Sequence, residues 1–430
     1  MSEQHFSLGV TYWPRRRARA EGPPCTWAEA DQGALRAELE HIAELGFDTV
    51  RLVLRWAEAV PDSRVSTAAL RGLERALDHA ADRGLSAVVA TMGGGLGGAL
   101  HLPAWAVGYR LPGDALRARR LGPPVLVVPD DQPPILAGER YLREPPRDLY
   151  GEPEILEAQR LLLREAVGNL GAHPAAAGWE LGANLERARR PRSARDAAAW
   201  WADLAGRARD HGARAVFGVV SPLGLARADT LRPAAIAAGG ARLVVSAAPL
   251  PPLRPGRGDG PRAAGFLHAL AAGLLRADTG RHEPVVVSGL GAPTAAGVEP
   301  GVVEGELFGR PAPIALADEE RQAATVEQAL ASLHGAGAGG AWLARYADVG
   351  PELWGVAPAD RSWWARTPGL VAPDGREKPV AHAARAFAAR LRSGTLPAPA
   401  APPALPIDPE RYWRDPAVAL RELWEDWHKG

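Results

Sequence analysis

The sequence predicts an α/β fold, a (β/α)8 (TIM) barrel with a long insertion after the third strand and a short C-terminal helical tail. Three observations carry that expectation. Short, near-continuous apolar runs recur along the chain, as buried parallel strands read. Longer segments with helical apolar spacing separate most of them. The alternation reaches eight strand–helix units within 430 residues, which suits a barrel with insertions. A doubly wound open sheet is the alternative topology.

The first strand is expected over Phe6–Tyr12 (FSLGVTY). A helix over Ala34–Leu45 follows, apolar at Leu35, Leu39, Ile42, Ala43 and Leu45 and closed by Gly46 at the C′ position. Thr49–Leu54 is the second strand, Ala68–Arg83 the next helix, ended by Gly84, and Leu85–Thr91 the third strand. After the insertion come a helix over Ile155–Leu170, a strand over Gly178–Asn184 and a helix over Ala194–His211. Strands over Arg214–Val220 and Arg242–Ser246 lead to a helix near Ala263–Arg276 and a strand over Pro284–Ser288. A helix at Glu319–His334 and a strand at Gly340–Arg345 complete the set.

The insertion, Gly93–Pro153, is rich in Pro, Arg and Gly, and in a barrel it lies over the strand C-termini as a lid or cleft wall. Residues 1–392 are read as the barrel and 393–410 as a Pro/Ala-rich linker (Gly394–Pro409, GTLPAPAAPPALPIDP), with 411–430 as the tail. In the tail Asp415 caps a helix with Pro416 at its first position. Tyr412, Trp413, Leu420, Leu423, Trp424 and Trp427 form an apolar stripe that packs back on the barrel or, alternatively, docks a protein partner.

Composition narrows the function. The 50 basic and 50 acidic residues balance to zero, with pI ≈ 7.2, so nothing electrostatic draws the chain to nucleic acid or an anionic membrane. All the basic residues except Lys378 and Lys429 are Arg. Cys25 stands alone, which excludes an internal disulfide framework and Cys-rich metal sites. No apolar run approaches the ~20 residues that span a bilayer, and Met1–Val10 has no basic-then-apolar leader pattern. A cytoplasmic, soluble protein is expected.

Gly93–Gly98 (GGGLGG) fits G-x-G-x-x-G after a strand, but Ala99–Trp105 (ALHLPAW) follows instead of a helix, with no acid at the ribose distance. A tightly turning loop is the reading. No Walker sequence, H-E-x-x-H or G-x-S-x-G occurs, and the eleven histidines lack ligand spacing. Neither cofactor nor metal is expected.

Several segments then fall on strand ends as a set: Gly9-Val10-Thr11-Tyr12-Trp13-Pro14, Val50-Arg51 with Arg55-Trp56, and Leu102-Pro103-Ala104-Trp105. Gly178-Trp179-Glu180-Leu181-Gly182, Ser288-Gly289-Leu290-Gly291-Ala292-Pro293-Thr294 and Glu377-Lys378-Pro379-Val380 continue it in order. Together they resemble the clan A glycoside hydrolases, in particular bacterial cellulase- or mannanase-like barrels, from about Phe6 to Leu391. The resemblance implies a retaining mechanism, in which an acid/base Glu ends strand four and a nucleophile Glu ends strand seven, about 5–5.5 Å apart.

In this chain the acid/base position is Asn184 and the nucleophile position is Gly289. Asn184 cannot donate a proton at a useful pKa, and a general acid supplies about 10²–10⁴ in rate. Gly289 has no side chain on which a glycosyl adduct could form. Ala183 also replaces the family's Asn, and the family's His-Gly-Tyr pattern is absent from Val244–Pro249. A one-residue gap would put Leu185 at the acid position with Glu186 beside it. Glu58, Glu304, Glu306 and Asp348 are other acids beyond strand ends, each more simply read as solvated or salt-bridged.

The expected ligand-binding residues are Trp13, Arg51, Trp56, Trp105, Asn184, Tyr346 and Asp348, the aromatic rings offering flat faces to sugars. Trp354, Trp363 and Trp364 occupy the final loop. The leading expectation is a non-hydrolytic pseudoglycosidase that binds a small carbohydrate-like ligand or a partner. The alternatives are an active glycoside hydrolase using displaced acids and a different enzyme on the same barrel.

Overall fold

The computed structural model describes residues 5–14, 26–62, 64–108, 132–138, 140–247, 260–399 and 405–429. Cys25, the middle of the insertion and part of the Pro/Ala linker lie outside them. Eight parallel strands close a barrel in chain order: β1 (Ser7–Tyr12), β2 (Thr49–Leu54), β3 (Ser86–Thr91), β4 (Ala176–Leu181), β5 (Val216–Val220), β6 (Arg242–Ser246), β7 (Val286–Leu290) and β8 (Gly340–Leu343). β8 returns to β1 with Val10 opposite Leu343, which shuts the ring and leaves no sheet edge. The open doubly wound alternative is excluded.

Alternation along each strand divides the core in two. Val50, Leu52 and Leu54, with Ala87 and Val89, point outward to the helices. Val88, Phe217, Val219, Val244, Val286 and Trp342 fill the lumen, where the Phe217 and Trp342 rings lie 5.6 Å apart. Two glycines make room for them. A Cβ on Gly9 would sit 2.3 Å from Trp342 Cδ1, and one on Gly178 2.5 Å from Phe217 Cε2. The lumen is therefore packed, and any ligand must sit above it at the strand C-termini.

The outer layer comprises α1 (Gln32–Glu44), α2 (Thr67–Asp82), α3 (Pro153–Leu170), α4 (Ala194–Asp210), α5 (Pro233–Ala238), α6 (Gly260–Thr279), α7 (Glu319–Gly335) and α8 (Pro379–Arg392). Side-chain caps start several of them. Asp31 accepts from Ala34 N at 2.9 Å, Ser66 from Ala69 N at 3.2 Å and Asp318 from Arg321 N at 2.6 Å. Gly46 (φ 89°) and Gly84 (φ 69°) end α1 and α2 in left-handed backbone. Sequence periodicity misses α5, which is only six residues long.

Two additions cover the C-terminal face. The described part of the insertion forms a small sheet of Gly95–Leu96, Ala99–His101, Ile135–Ala137 and Arg140–Leu142. After β7, Gly301–Leu307 and Arg310–Leu316 make an antiparallel hairpin that sequence reading does not anticipate. Its tip is a two-residue turn, Phe308 (φ 51°) and Gly309 (φ 72°), with both residues left-handed as the tightest hairpins require.

The tail folds as α9 (Pro409–Arg414) and α10 (Pro416–Lys429), with Asp415 Oδ1 accepting from Val418 N at 3.4 Å. Its apolar stripe packs on the barrel. Tyr412 donates to the Leu225 carbonyl at 2.9 Å, and Phe266 of α6 meets Trp424 and Trp427 at 5.2 and 5.9 Å between ring centres. Among the described residues no helix is long and apolar enough to cross a membrane. No cluster of His, Cys, Asp and Glu among them could hold a metal ion.

Candidate functional site at the barrel mouth

At the C-terminal ends of the strands lies a cavity of ≈ 80 Å³. Thr11 of β1, Arg51 of β2, Ser246 of β6 and Ser288 of β7 form its floor, and Asn184 and Gly289 face it from just beyond β4 and within β7. Trp13, Arg345 and Trp364 contribute to its wall, and Gly95–Gly98 to its roof. Among the described lining residues none is acidic.

The backbone at the two positions of interest is unusual. Asn184 has φ 59° and Gly289 φ 77°, both left-handed. Asn is among the few residues with a side chain that enter this region readily, and Gly does so freely. Gly289 also falls where the register between β7 and β8 shifts, between Ser288 and Leu290. A glutamate at either place would carry backbone strain of about 1–2 kcal/mol.

Arg51 faces Glu180 of β4 across the lumen and holds it by two hydrogen bonds, Nε to Oε2 at 2.8 Å and Nη2 to Oε1. Glu180 is fully buried. It is the carboxylate nearest in sequence to Asn184 on this strand, and this ion pair engages both of its oxygens. The guanidinium of Arg345 lies 4.0 Å from the Trp13 ring centre and donates to the Ala365 carbonyl at 2.7 Å.

The hairpin tip closes the mouth from above. Phe308 N donates to the Gly98 carbonyl at 2.5 Å, and the Phe308 ring covers the Arg187 guanidinium at 4.1 Å. Burial there pushes Arg187 down to about 10. A Cβ on Gly95 would approach Phe308 Cε1 to 2.8 Å, so the GGGLGG run serves close packing under the hairpin. No helix follows it, as the sequence implies.

Of the expected ligand-binding residues, the structure gathers Trp13, Arg51 and Asn184 at this cavity. The other four face elsewhere. Trp56 is buried edge-on against Trp105 at 5.4 Å. Trp105 donates to the Val60 carbonyl at 2.8 Å and lines a separate flank groove of ≈ 560 Å³ with Arg147 and Glu154. Tyr346 is turned outward to α1, its hydroxyl 2.9 Å from His41 Nδ1. Asp348 is buried against the fully buried Lys378 at 3.0 Å and accepts from Gly369 N at 2.6 Å. Burial raises the Asp348 carboxyl against the pull of Lys378. This pair ties the loop after β8 to the start of α8.

The other acids are similarly committed. Glu186 accepts from the Ser221 hydroxyl, and Glu58 accepts from Trp27 N, its carboxyl raised by burial. Glu306 pairs with Arg361 at 3.3 Å, and Glu304 is exposed on the hairpin. Arg366 lies 4.9 and 4.8 Å from the Trp354 and Trp363 ring centres, and those rings meet edge-on at 5.7 Å. Sequence reasoning missed Thr11, Ser246, Ser288, Arg345 and Phe308. The serines and Arg345 were findable as polar residues ending apolar strands, and the hairpin from the alternation of Val302–Glu306 before Phe308-Gly309.

The barrel was then compared with solved structures. A GH5_18 glycoside hydrolase from Streptomyces cattleya, in complex with GlcNAc, superposes with TM-score 0.70 at 21% identity, over 98% of this chain and 90% of its own. The fold is that of the GH5_18 glycoside hydrolases. A GH5_18 barrel from Bifidobacterium longum subsp. longum has TM-score 0.64 at 21% identity, over 94% of this chain and 81% of its own. An exo-β-1,4-mannosidase from an Opitutaceae bacterium has TM-score 0.62 at 18% identity, over 91% and 60%. The superposition on the S. cattleya barrel thus extends over nearly the whole chain. No family model matches the sequence, and no curated relative aligns with it.

Proposed function

We propose that this GH5-like barrel binds a ligand at its mouth and does not hydrolyse glycosides. The observation that carries the reading is the left-handed backbone at Asn184 and Gly289, facing one cavity. It suits the residues present and disfavours the carboxylates that retaining hydrolysis needs. Arg51 engages Glu180, and Ser221 engages Glu186. Neither acid lines the cavity.

GH5_18 proteins from S. cattleya have been captured with GlcNAc and with Manβ1-4GlcNAc, which supports a sugar-like ligand class for this mouth. Ligand pockets usually measure about 300–1,000 Å³. At ≈ 80 Å³ the cavity takes only a small group, and a larger ligand would project from it past the Phe308 tip.

The test is hydrolysis of aryl β-mannosides and β-glucosides by purified protein. No turnover above buffer is expected. Turnover that Glu186→Gln abolishes would overturn the reading and establish a hydrolase working through displaced acids.

A further inference from the structure

We propose that the mouth cavity selects a small oxyanion: a phosphate, sulfate or carboxylate group, free or carried as the head group of a larger molecule. The inference rests on the reading of the mouth as a ligand site and adds the ligand's charge and size.

Hydrogen-bonding capacity is left unspent at the cavity. Arg51 gives Nε and Nη2 to Glu180, and its Nη1 bonds to no described residue. The hydroxyls of Thr11 and Ser288 make no hydrogen bond to any described residue, although the two residues are only 3% and 7% exposed. Asn184 commits its carbonyl oxygen to Arg187 Nε at 3.3 Å, leaving its NH2 as the group on offer. These atoms line the cavity, where a ligand can reach them. All four can donate, and the Arg345 guanidinium adds positive charge to the same wall.

The wall also shows what is not wanted. A neutral sugar presents as many hydroxyl hydrogens as lone pairs, and sites that hold it supply acceptors for those hydrogens. Among the described lining residues there is no carboxylate, and the one side-chain carbonyl is already engaged. The Arg51 and Arg345 guanidiniums and the Asn184 NH2 only donate, the hydroxyls of Thr11, Ser246 and Ser288 can donate or accept, and an oxyanion, which only accepts, fits this donor-rich wall through the stronger bonds that a charged acceptor makes. Size agrees. The ≈ 80 Å³ cavity suits a group of oxyanion size and is small beside the about 300–1,000 Å³ of ordinary ligand pockets.

The experiment is thermal denaturation of the full chain, titrated with sodium phosphate, sulfate or acetate at constant ionic strength set with chloride. Mannose and mannose 6-phosphate are run in parallel. A saturable rise in Tm with at least one free oxyanion is expected, with no response to mannose. Thr11→Val and Ser288→Ala should each weaken the apparent affinity about tenfold, the loss of one hydrogen bond to a charged group. They lie on different strands, so a folding defect in one leaves the other informative. A response to mannose 6-phosphate alone supports the head-group form. Equal responses to mannose and its phosphate, no saturable response at all, or a response unchanged in both variants would overturn the inference. Glycoside hydrolysis, by contrast, would overturn only the non-hydrolytic reading.

Discussion

Arg51 and Glu180 are joined across the barrel lumen by a two-point ion pair, Nε to Oε2 at 2.8 Å, with the carboxylate fully buried between β2 and β4. Removing one partner strands a charge in a dry interior. Arg51→Met should therefore destabilise the fold by about 3–5 kcal/mol, whereas the double replacement Arg51→Met with Glu180→Leu should recover most of that loss. Urea unfolding of both variants checks it. Equal destabilisation in the two would show that packing, not the stranded charge, sets the cost.

Phe308 covers part of the mouth at the tip of a hairpin whose inner face, including Ile314 and Leu316, packs on the core. Phe308→Ala should cost less than the about 3–5 kcal/mol of a core Phe→Ala, because Phe308 sits at a hairpin turn over the mouth and not inside the barrel. Its signature is local. Amide exchange across residues 301–316 should accelerate while the barrel strands keep their protection. Hydrogen exchange read by mass spectrometry separates the two. Uniform acceleration would mean that the hairpin unfolds only with the barrel.

Acid should weaken the fold through two buried histidines. Burial lowers His101 to about 3 and His268 to about 4, the latter helped by His282. In the unfolded chain both titrate near 6.5. Between 6.5 and those lower values the unfolded state binds more protons, so stability present above pH 6.5 drains away as the pH falls. Urea midpoints at pH 7, 6 and 5 should decline, and His268→Leu should flatten the decline. An unchanged slope in that variant would remove His268 from the account.

Carboxylates placed at Asn184 and Gly289 should not produce hydrolysis. Asn184→Glu with Gly289→Glu puts two side chains into left-handed backbone and into a cavity of ≈ 80 Å³. Each should cost about 1–2 kcal/mol from backbone strain alone. Gly289→Ala, which adds only a Cβ, should show that cost by itself in a melting curve. Release of nitrophenol from an aryl β-mannoside by the double variant would mean that the mouth still fits a sugar.

The lowered pKa of Glu377 gives a separate handle on the α8 junction. Hydrogen bonds from Arg385, with a further contribution from His41, hold its carboxyl at about 2. The stability it contributes is complete above the ordinary carboxylate range and is lost as the pH falls toward 2. Glu377→Gln should remove that part of the acid limb between about pH 4.5 and 2. Melting temperatures of wild type and variant over that interval should converge at the acid end.

The barrel was legible because its signals are local. β2 and β6 are found where the apolar runs place them, and β3 begins one residue later than expected. Asp31, Ser66 and Asp318 cap their helices through bonds spanning three residues. The candidate site was legible only where residues lie within or immediately after a strand, as Arg51 and Asn184 do.

Strand and helix periods are properties of consecutive residues, so the order of amino acids alone settles the number of units, their faces and most of their ends. Past the end of a strand the two-residue alternation no longer governs direction. Tyr346 and Asp348 follow β8 closely, yet distant His41 and Lys378 turn them away from the mouth. The left-handed turn at Phe308-Gly309 and the GGGLGG packing beneath it depend on segments some 200 residues apart meeting above the barrel. Contacts of that range exist only once the ring has closed.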